Sequence, residues 1–357
     1  MRMEFSDRAK AFALWLLGQF DGHISAKILW ESIAQEFIRR TPPPPLKIPN
    51  YERVSPLHCI SYFGMAEVVR GLINMRRWDV NQREGLSVTP LIWAAIYGHE
   101  EVVRVLLQEK QVQPDRRDAN NGRGALSWAA EKGYGGIVKL LLWQKDVNPD
   151  TPDTLNGRTP LSWAARQGHE GIVKLLLGQE DVNPDTPGTE YGRTPLFWAA
   201  GNGHEGIVKL LLGQKGVNRN SPETGFNQKP LGRAANNGHE GVVKLLLGRK
   251  DVNPDSPNVY GETPLSLAAQ KGYDGIVKLL LRQKDGNPDN SSQSGSTPLL
   301  WAASAGNAGV VKLLLERKDV NPNSFNKSGQ TPLMIATKRR HDQVVELLWA
   351  RHSQHIE

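Results

Sequence analysis

Three groups of residues have the types and spacing that could carry chemistry. His58 and Cys59 are adjacent, histidines recur at 99, 169, 204 and 239, and aspartates bracket the string D-V-N-P-D at 146–150, 181–185 and 251–255. They suggest, in turn, a nucleophile with its base, a metal set and paired acid/base carboxylates. The spacing argues against each. Helix neighbours point about 100° apart, so His58 cannot serve Cys59 by itself. Histidines one repeat apart would stand roughly 8–10 Å from one another, the helix packing distance, whereas zinc needs ligands at about 2 Å. The aspartates travel with Asn and Pro as a turn demands. No G-x-x-x-x-G-K-[ST] phosphate loop occurs, and the single cysteine removes both a disulfide framework and a Cys-rich zinc site. The chain therefore reads as non-enzymatic, with no catalytic residues, metal or cofactor.

Other residues suggest a binding surface. Arg123, Arg158 and Arg193 each follow a glycine at 35-residue intervals, which predicts a positive row of guanidinium forks for carboxylate or phosphate. Lys139, Lys174, Lys209, Lys244, Lys278 and Lys312 form a second row, read as a solvated face because no exposed aromatics are interleaved with it. Trp93, Trp128, Trp163, Trp198 and Trp301 share one position and read as a packing ladder rather than an aromatic ligand site. Where the next ring is due after Trp198, the chain has Gly232-Arg233. A lost ring with a cation in its place predicts either a notch able to take an anion or peptide, or simple decay of the repeat. Tyr191, Phe226 and Tyr260 fall near the same loops and could add anchors.

The elements that must hold these residues follow from a repeat. Strings related to T-P-L-x-W-A-A start at Ser55, Thr89, Gly124, Thr159, Thr194, Lys229, Thr263, Thr297 and Thr331, 34 or 35 residues apart. The Thr can cap a helix, Pro fits its first position, and the glycine of G-H-E ends it. About twelve residues after each start comes a second apolar segment, as in GIVKLLL at 171–177 and 206–212. That stripe is too narrow to form a core alone, so neighbouring units must stack. The segment from D-V-N-P-D to Gly-Arg reads as a projecting hairpin-like loop.

Helix, turn, helix and loop at this period, with T-P-L-x-x-A-A and G-H-E-x-V-x-x-L-L in register, resemble ankyrin repeats over nine units, about residues 54–351. The T-P-L-S-W-A-A and D-V-N-P-D flavour resembles the arrays of fungal multi-repeat proteins of the NACHT-associated type. The resemblance implies an all-α solenoid that binds a partner protein on its concave and loop face. It also implies that His58 and the G-H-E histidines tie neighbouring backbones together. The two residues after each Ala pair vary while their surroundings stay fixed: Ile96-Tyr97, Glu131-Lys132, Arg166-Gln167, Gly201-Asn202, Asn236-Asn237 and Gln270-Lys271. In ankyrin repeats these positions meet the partner. The candidate contacts are thus Tyr97, Arg123, Lys132, Arg158, Arg166, Gln167, Arg193, Asn202, Arg233, Asn236, Asn237 and Lys271.

Composition agrees. Gly 35 and Pro 23 fall mostly at fixed spacings, and 44 Lys+Arg against 37 Asp+Glu give +7, spread along the 357 residues rather than clustered for nucleic acid. No apolar run approaches the roughly 20 residues that cross a bilayer, and 11–18 lacks the basic leader and cleavage motif of a signal peptide. The reading divides the chain into an N-terminal helical hairpin or cap (1–41), a Pro-rich linker (42–53) and the array with its C-terminal cap (54–357). Its location would be cytoplasmic or nuclear and its partner a protein with an acidic surface. A basic surface for phosphoprotein or nucleic acid is the alternative, and an enzyme or regulator at the repeat-six notch the third reading.

Overall fold

The computed structural model describes residues 55–76, 78–83, 88–284 and 286–353. The expected N-terminal hairpin and Pro-rich linker lie outside the described residues. The described chain holds eighteen helices in nine pairs. They are α1 (Pro56–Phe63) with α2 (Ala66–Asn74), α3 (Pro90–Tyr97) with α4 (Glu100–Leu107), and α5 (Ala125–Lys132) with α6 (Gly135–Leu142). Next come α7 (Pro160–Gln167) with α8 (Glu170–Leu177), α9 (Pro195–Gly201) with α10 (Glu205–Leu212), and α11 (Pro230–Asn237) with α12 (Glu240–Leu247). The last are α13 (Pro264–Lys271) with α14 (Asp274–Leu281), α15 (Pro298–Ala305) with α16 (Ala308–Leu315), and α17 (Pro332–Arg339) with α18 (Asp342–Ser353).

The first helix of a pair begins as its T-P-L string dictates. The hydroxyls of Thr89, Thr194, Thr263, Thr297 and Thr331 accept the backbone N–H three residues on, and a proline follows each. Gly98, at φ 78°, and its counterparts close these helices in the left-handed region. In the last repeat Arg340 takes that conformation instead, at φ 60°. Eight residues are too few for a helix to stand alone, so stability comes from the neighbours.

Two compact units divide the chain, 1–164 with 171–183 and 165–170 with 184–357. In the first, α1, α3 and α5 pack in succession and α2, α4 and α6 pack beside them. In the second, α9, α11, α13, α15 and α17 form one layer and α10, α12, α14, α16 and α18 the other. The Ala pairs, such as Ala94-Ala95 and Ala268-Ala269, are wholly buried and let the first helices approach closely. Among the described residues no helix is long and apolar enough to cross a membrane.

Polar groups fasten neighbouring repeats within each unit. Nε2–H of His99 donates to the Tyr62 carbonyl at 2.7 Å, His204 to Arg166 at 3.1 Å, His239 to Gly201 at 3.0 Å and His341 to Ser304 at 3.3 Å. This is the tie that the resemblance implied. His58 accepts from Ser55 Oγ at 2.7 Å and donates to Val88 O at 3.0 Å; burial lowers its pKa to about 4 against the pull of the Val88 and Gln82 backbone, so it is neutral. Asp255 and Asp289 of the turn strings each accept a backbone N–H of the following repeat, from Asn287 and Asn321, at 2.7 Å.

A further contact joins the second helices. The Glu100 carboxylate lies where a Cβ on Gly136 would stand, and Glu205, Glu240 and Asp274 lie likewise over Gly241, Gly275 and Gly309. Each carboxylate thus lies against the first turn of the next second helix, whose positive end favours it, at a position where a side chain would displace it.

Candidate functional site

The hairpins and the ends of the first helices carry the candidate contacts, except Arg233, which lies within α11. Among the described residues seven hairpins close with a backbone N–H to carbonyl bond between equivalent residues: Asp118 to Arg123, Asp153 to Arg158, Gly188 to Arg193, Glu223 to Gln228, Asn258 to Glu262, Ser292 to Ser296 and Asn326 to Gln330, all at 2.9–3.1 Å. Adjacent tips are joined as well. Thr154 N donates to Asn121 O in the first unit; in the second, Thr224 donates to Tyr191, Val259 to Phe226, Gln293 to Tyr260 and Lys327 to Ser294, at 2.8–2.9 Å. Main-chain bonding therefore tethers the tips.

The arginines that sequence places in one exposed row differ in their surroundings. Arg123 is 4% exposed, with its guanidinium carbon 3.7 Å from the Trp128 ring centroid and 4.2 Å from that of Trp163. It ion-pairs with Glu131 at 2.7 Å and donates to Ser127 O at 3.0 Å. The expected outward fork is therefore corrected at Arg123: the indoles offer it π faces and Glu131 a charge, so it lies inside the stack. Arg158 is half-buried, 4.8 Å from the Trp163 ring. Arg193 reaches forward one repeat to Glu223 at 3.0 and 3.2 Å, and stands over Tyr191 and Trp198 at 4.5 and 5.1 Å.

Arg233 stands in the expected notch. It is half-buried, and its stem crosses α9 at Gly201, where a Cβ would come 2.9 Å from Arg233 Cγ. Burial and then the nearby Arg193 charge lower its pKa, while Glu223 raises it. The ring missing at this position is thus partly replaced by an aliphatic stem carrying a charge.

The remaining candidates sit on the first-helix ends. Lys132, Gln167, Asn202 and Lys271 are exposed. Arg166 stands 5.0 Å from the Trp198 ring. Asn202 and Asn237 donate their amides to Arg166 O and Gly201 O at 2.8 and 2.7 Å, and Asn236 donates to the Asn237 side chain at 3.2 Å. Tyr97 joins Tyr62 and Trp93 in an aromatic cluster, with centroids at 4.4 and 5.5 Å. Tyr191, Phe226 and Tyr260 project from the tips and remain 37%, 49% and 51% exposed.

The helix-pair period, the capped T-P-L starts and the hairpins bonded tip to tip define the repeat in atomic terms. The family described as ankyrin repeats matches at residues 57–153, 126–223, 206–291 and 284–357. The chain belongs to the ankyrin-repeat family. No curated relative matches it significantly.

Two pairs of internal partners in these ankyrin repeats escaped the sequence reading. Asp118 and Asp153, at the hairpin bases, accept the indole N–H of Trp128 and Trp163 at 3.1 and 3.0 Å. Glu131 and Glu223 neutralise Arg123 and Arg193. A signal for the first pair was present, since an acid stands ten residues before each of those tryptophans. Glu223 lies thirty residues from its arginine and has no such local mark.

Proposed function

We propose that this chain is a non-enzymatic ankyrin scaffold that binds a partner protein through the hairpin tips and first-helix ends of the unit containing 184–357. The observation that carries this reading is the exposure of Tyr191, Phe226 and Tyr260, with Phe226 and Tyr260 6.2 Å apart, on tips whose main chains are hydrogen-bonded to their neighbours. Tyrosine and phenylalanine held on a tethered backbone lose little freedom on docking and offer large contact area. Arg233 and the exposed Lys271 stand in the same unit and suit a partner with an acidic surface. Ankyrin repeats are in general protein-binding modules, and the D-V-N-P-D flavour suggests kinship with fungal NACHT-associated arrays and a cytoplasmic or nuclear setting.

The test is affinity capture from the source cell's lysate with the parent chain and a Tyr191→Ser, Phe226→Ser, Tyr260→Ser variant, read by mass spectrometry. A partner retained by the parent and lost by the variant, at equal helicity and Tm, supports the tip reading. The same partner on both chains overturns it. Arg233→Gln with Lys271→Gln then tests partner acidity, through a slower and less salt-sensitive association.

A further inference from the structure

Between the hairpins and first helices of repeats eight and nine lies a cavity of about 370 Å³. Leu300, Ile335 and the indole of Trp301 form apolar wall, while Ser296, Ser304, Asn326 and Gln330 add neutral polar groups. Lys338 and Arg339 complete the lining, and no carboxylate takes part in it. Arg339 is held by donation to Ser304 O at 2.8 Å, and both cations are exposed.

The cavity occurs where the repeat has lost its own filling. At repeats three and four the guanidinium of Arg123 lies between the rings of Trp128 and Trp163. The equivalent residues at repeats eight and nine are Ser296, Trp301 and Ile335, so the cation and one of the two rings are replaced by smaller groups. The hairpin acid is lost as well. Where Asp118 accepts the Trp128 indole proton, repeat eight has Ser292, whose hydroxyl pairs with Ser294 at 2.8 Å. The Trp301 Nε1–H is buried with no hydrogen-bond acceptor among the described residues. A buried donor left in that state costs about 1–3 kcal/mol.

These features select the ligand by chemistry. The two cations exclude another cation and favour an anion over a wholly apolar group. A phosphate's double charge calls for a cluster of arginines or backbone amides, whereas here two rim cations stand over apolar wall. We propose that this cavity receives an aspartate or glutamate side chain from an extended segment of a partner protein. Its methylene stem lies on Leu300 and Ile335 and its carboxylate meets Lys338 and the polar groups. The site builds on the reading of the chain as a protein scaffold, but it is carried by residues other than the tip aromatics.

The experiment uses the full chain with 15N-labelled indoles, the Trp301 resonance being assigned from a Trp301→Phe variant. Blocked peptides Ac-Gly-Leu-Glu-Leu-Gly-NH2, its glutamine counterpart and its phosphoserine counterpart are titrated separately. A lone side-chain site should bind the glutamate peptide at about millimolar Kd, with about tenfold weaker response to glutamine. Lys338→Gln should weaken the glutamate peptide several-fold with Tm unchanged. Equal response to glutamate and glutamine, preference for phosphoserine, or no movement of the Trp301 resonance would each overturn the proposal. The Tyr191→Ser, Phe226→Ser, Tyr260→Ser variant should give the parent's titration, which separates failure of this site from failure of the tip reading.

Discussion

Repeats three and four and repeats eight and nine solve one packing problem in opposite ways. In the former, a buried guanidinium lies between two indoles, each indole proton is taken by an aspartate, and a glutamate balances the charge. In the latter, serine and isoleucine leave a cavity beside a single indole whose proton finds no acceptor. The same register of a repeat is thus filled by an internal brace in one place and left as a cavity in the other, where Ser292, Ser296, Ser304, Asn326 and Ile335 replace Asp118, Arg123, Glu131, Asp153 and Trp163. A positive row read along the sequence does not distinguish them, because burial decides whether an arginine is surface or core.

The sharpest way to break this contrast is Arg123→Ala. It strands the carboxylate of Glu131 and opens space between two rings, so urea denaturation should show a loss of about 3–5 kcal/mol. A loss below about 1 kcal/mol would mean that the guanidinium is not a brace. Acid offers a second handle on the first unit. The folded pKa of His58 is about 4 against 6.5 unfolded, so the unfolded chain binds the extra proton between these values. Its stabilising contribution is complete above about pH 6.5 and lost as pH falls towards 4, by up to about 3 kcal/mol. His58→Gln should flatten that slope, measured by denaturation at pH 7 and 4.5.

Converting one arrangement into the other is the third test. Ser296→Arg, Ile335→Trp and Ser304→Glu together should close the cavity, add about 1 kcal/mol of stability through the cation–ring contact, and abolish the glutamate-peptide response of Trp301. A retained response would show that the peptide binds elsewhere. The smallest effect is expected at the last helix cap. Arg340→Gly relieves a left-handed residue and should raise stability by about 1 kcal/mol, seen as slower amide exchange in α17 and α18. No gain would mean that the arginine side chain compensates for its backbone.

The fold was legible because its signals are local and repeated: a capping threonine, a proline at the first turn, paired alanines and a closing glycine recur every 34 or 35 residues. The site was legible only in part. Lys132, Gln167 and Lys271, at the positions that vary within the chain, are exposed. Arg123 was misplaced because its burial depends on Trp163, forty residues away, and on Glu131 on the next helix. The cavity at repeats eight and nine left no positive mark, since it arises from side chains that are absent rather than present.

The carboxylates seated over glycines carry a consequence for how such an array can be rearranged. Where a second helix begins with an acid, as at Glu100, Glu205, Glu240 and Asp274, the following repeat has glycine at the facing position. Where it begins with alanine, at Ala66 and Ala308, the following repeat carries Glu101 and Gln343 there. The match crosses the repeat boundary, so a repeat is not a freely interchangeable brick. Duplication or shuffling that moves a repeat beginning its second helix with glutamate in front of one lacking the glycine sets a carboxylate against a side chain. Neighbour order is thereby constrained by a two-residue grammar, and engineered or evolved reorderings should survive where that grammar is kept.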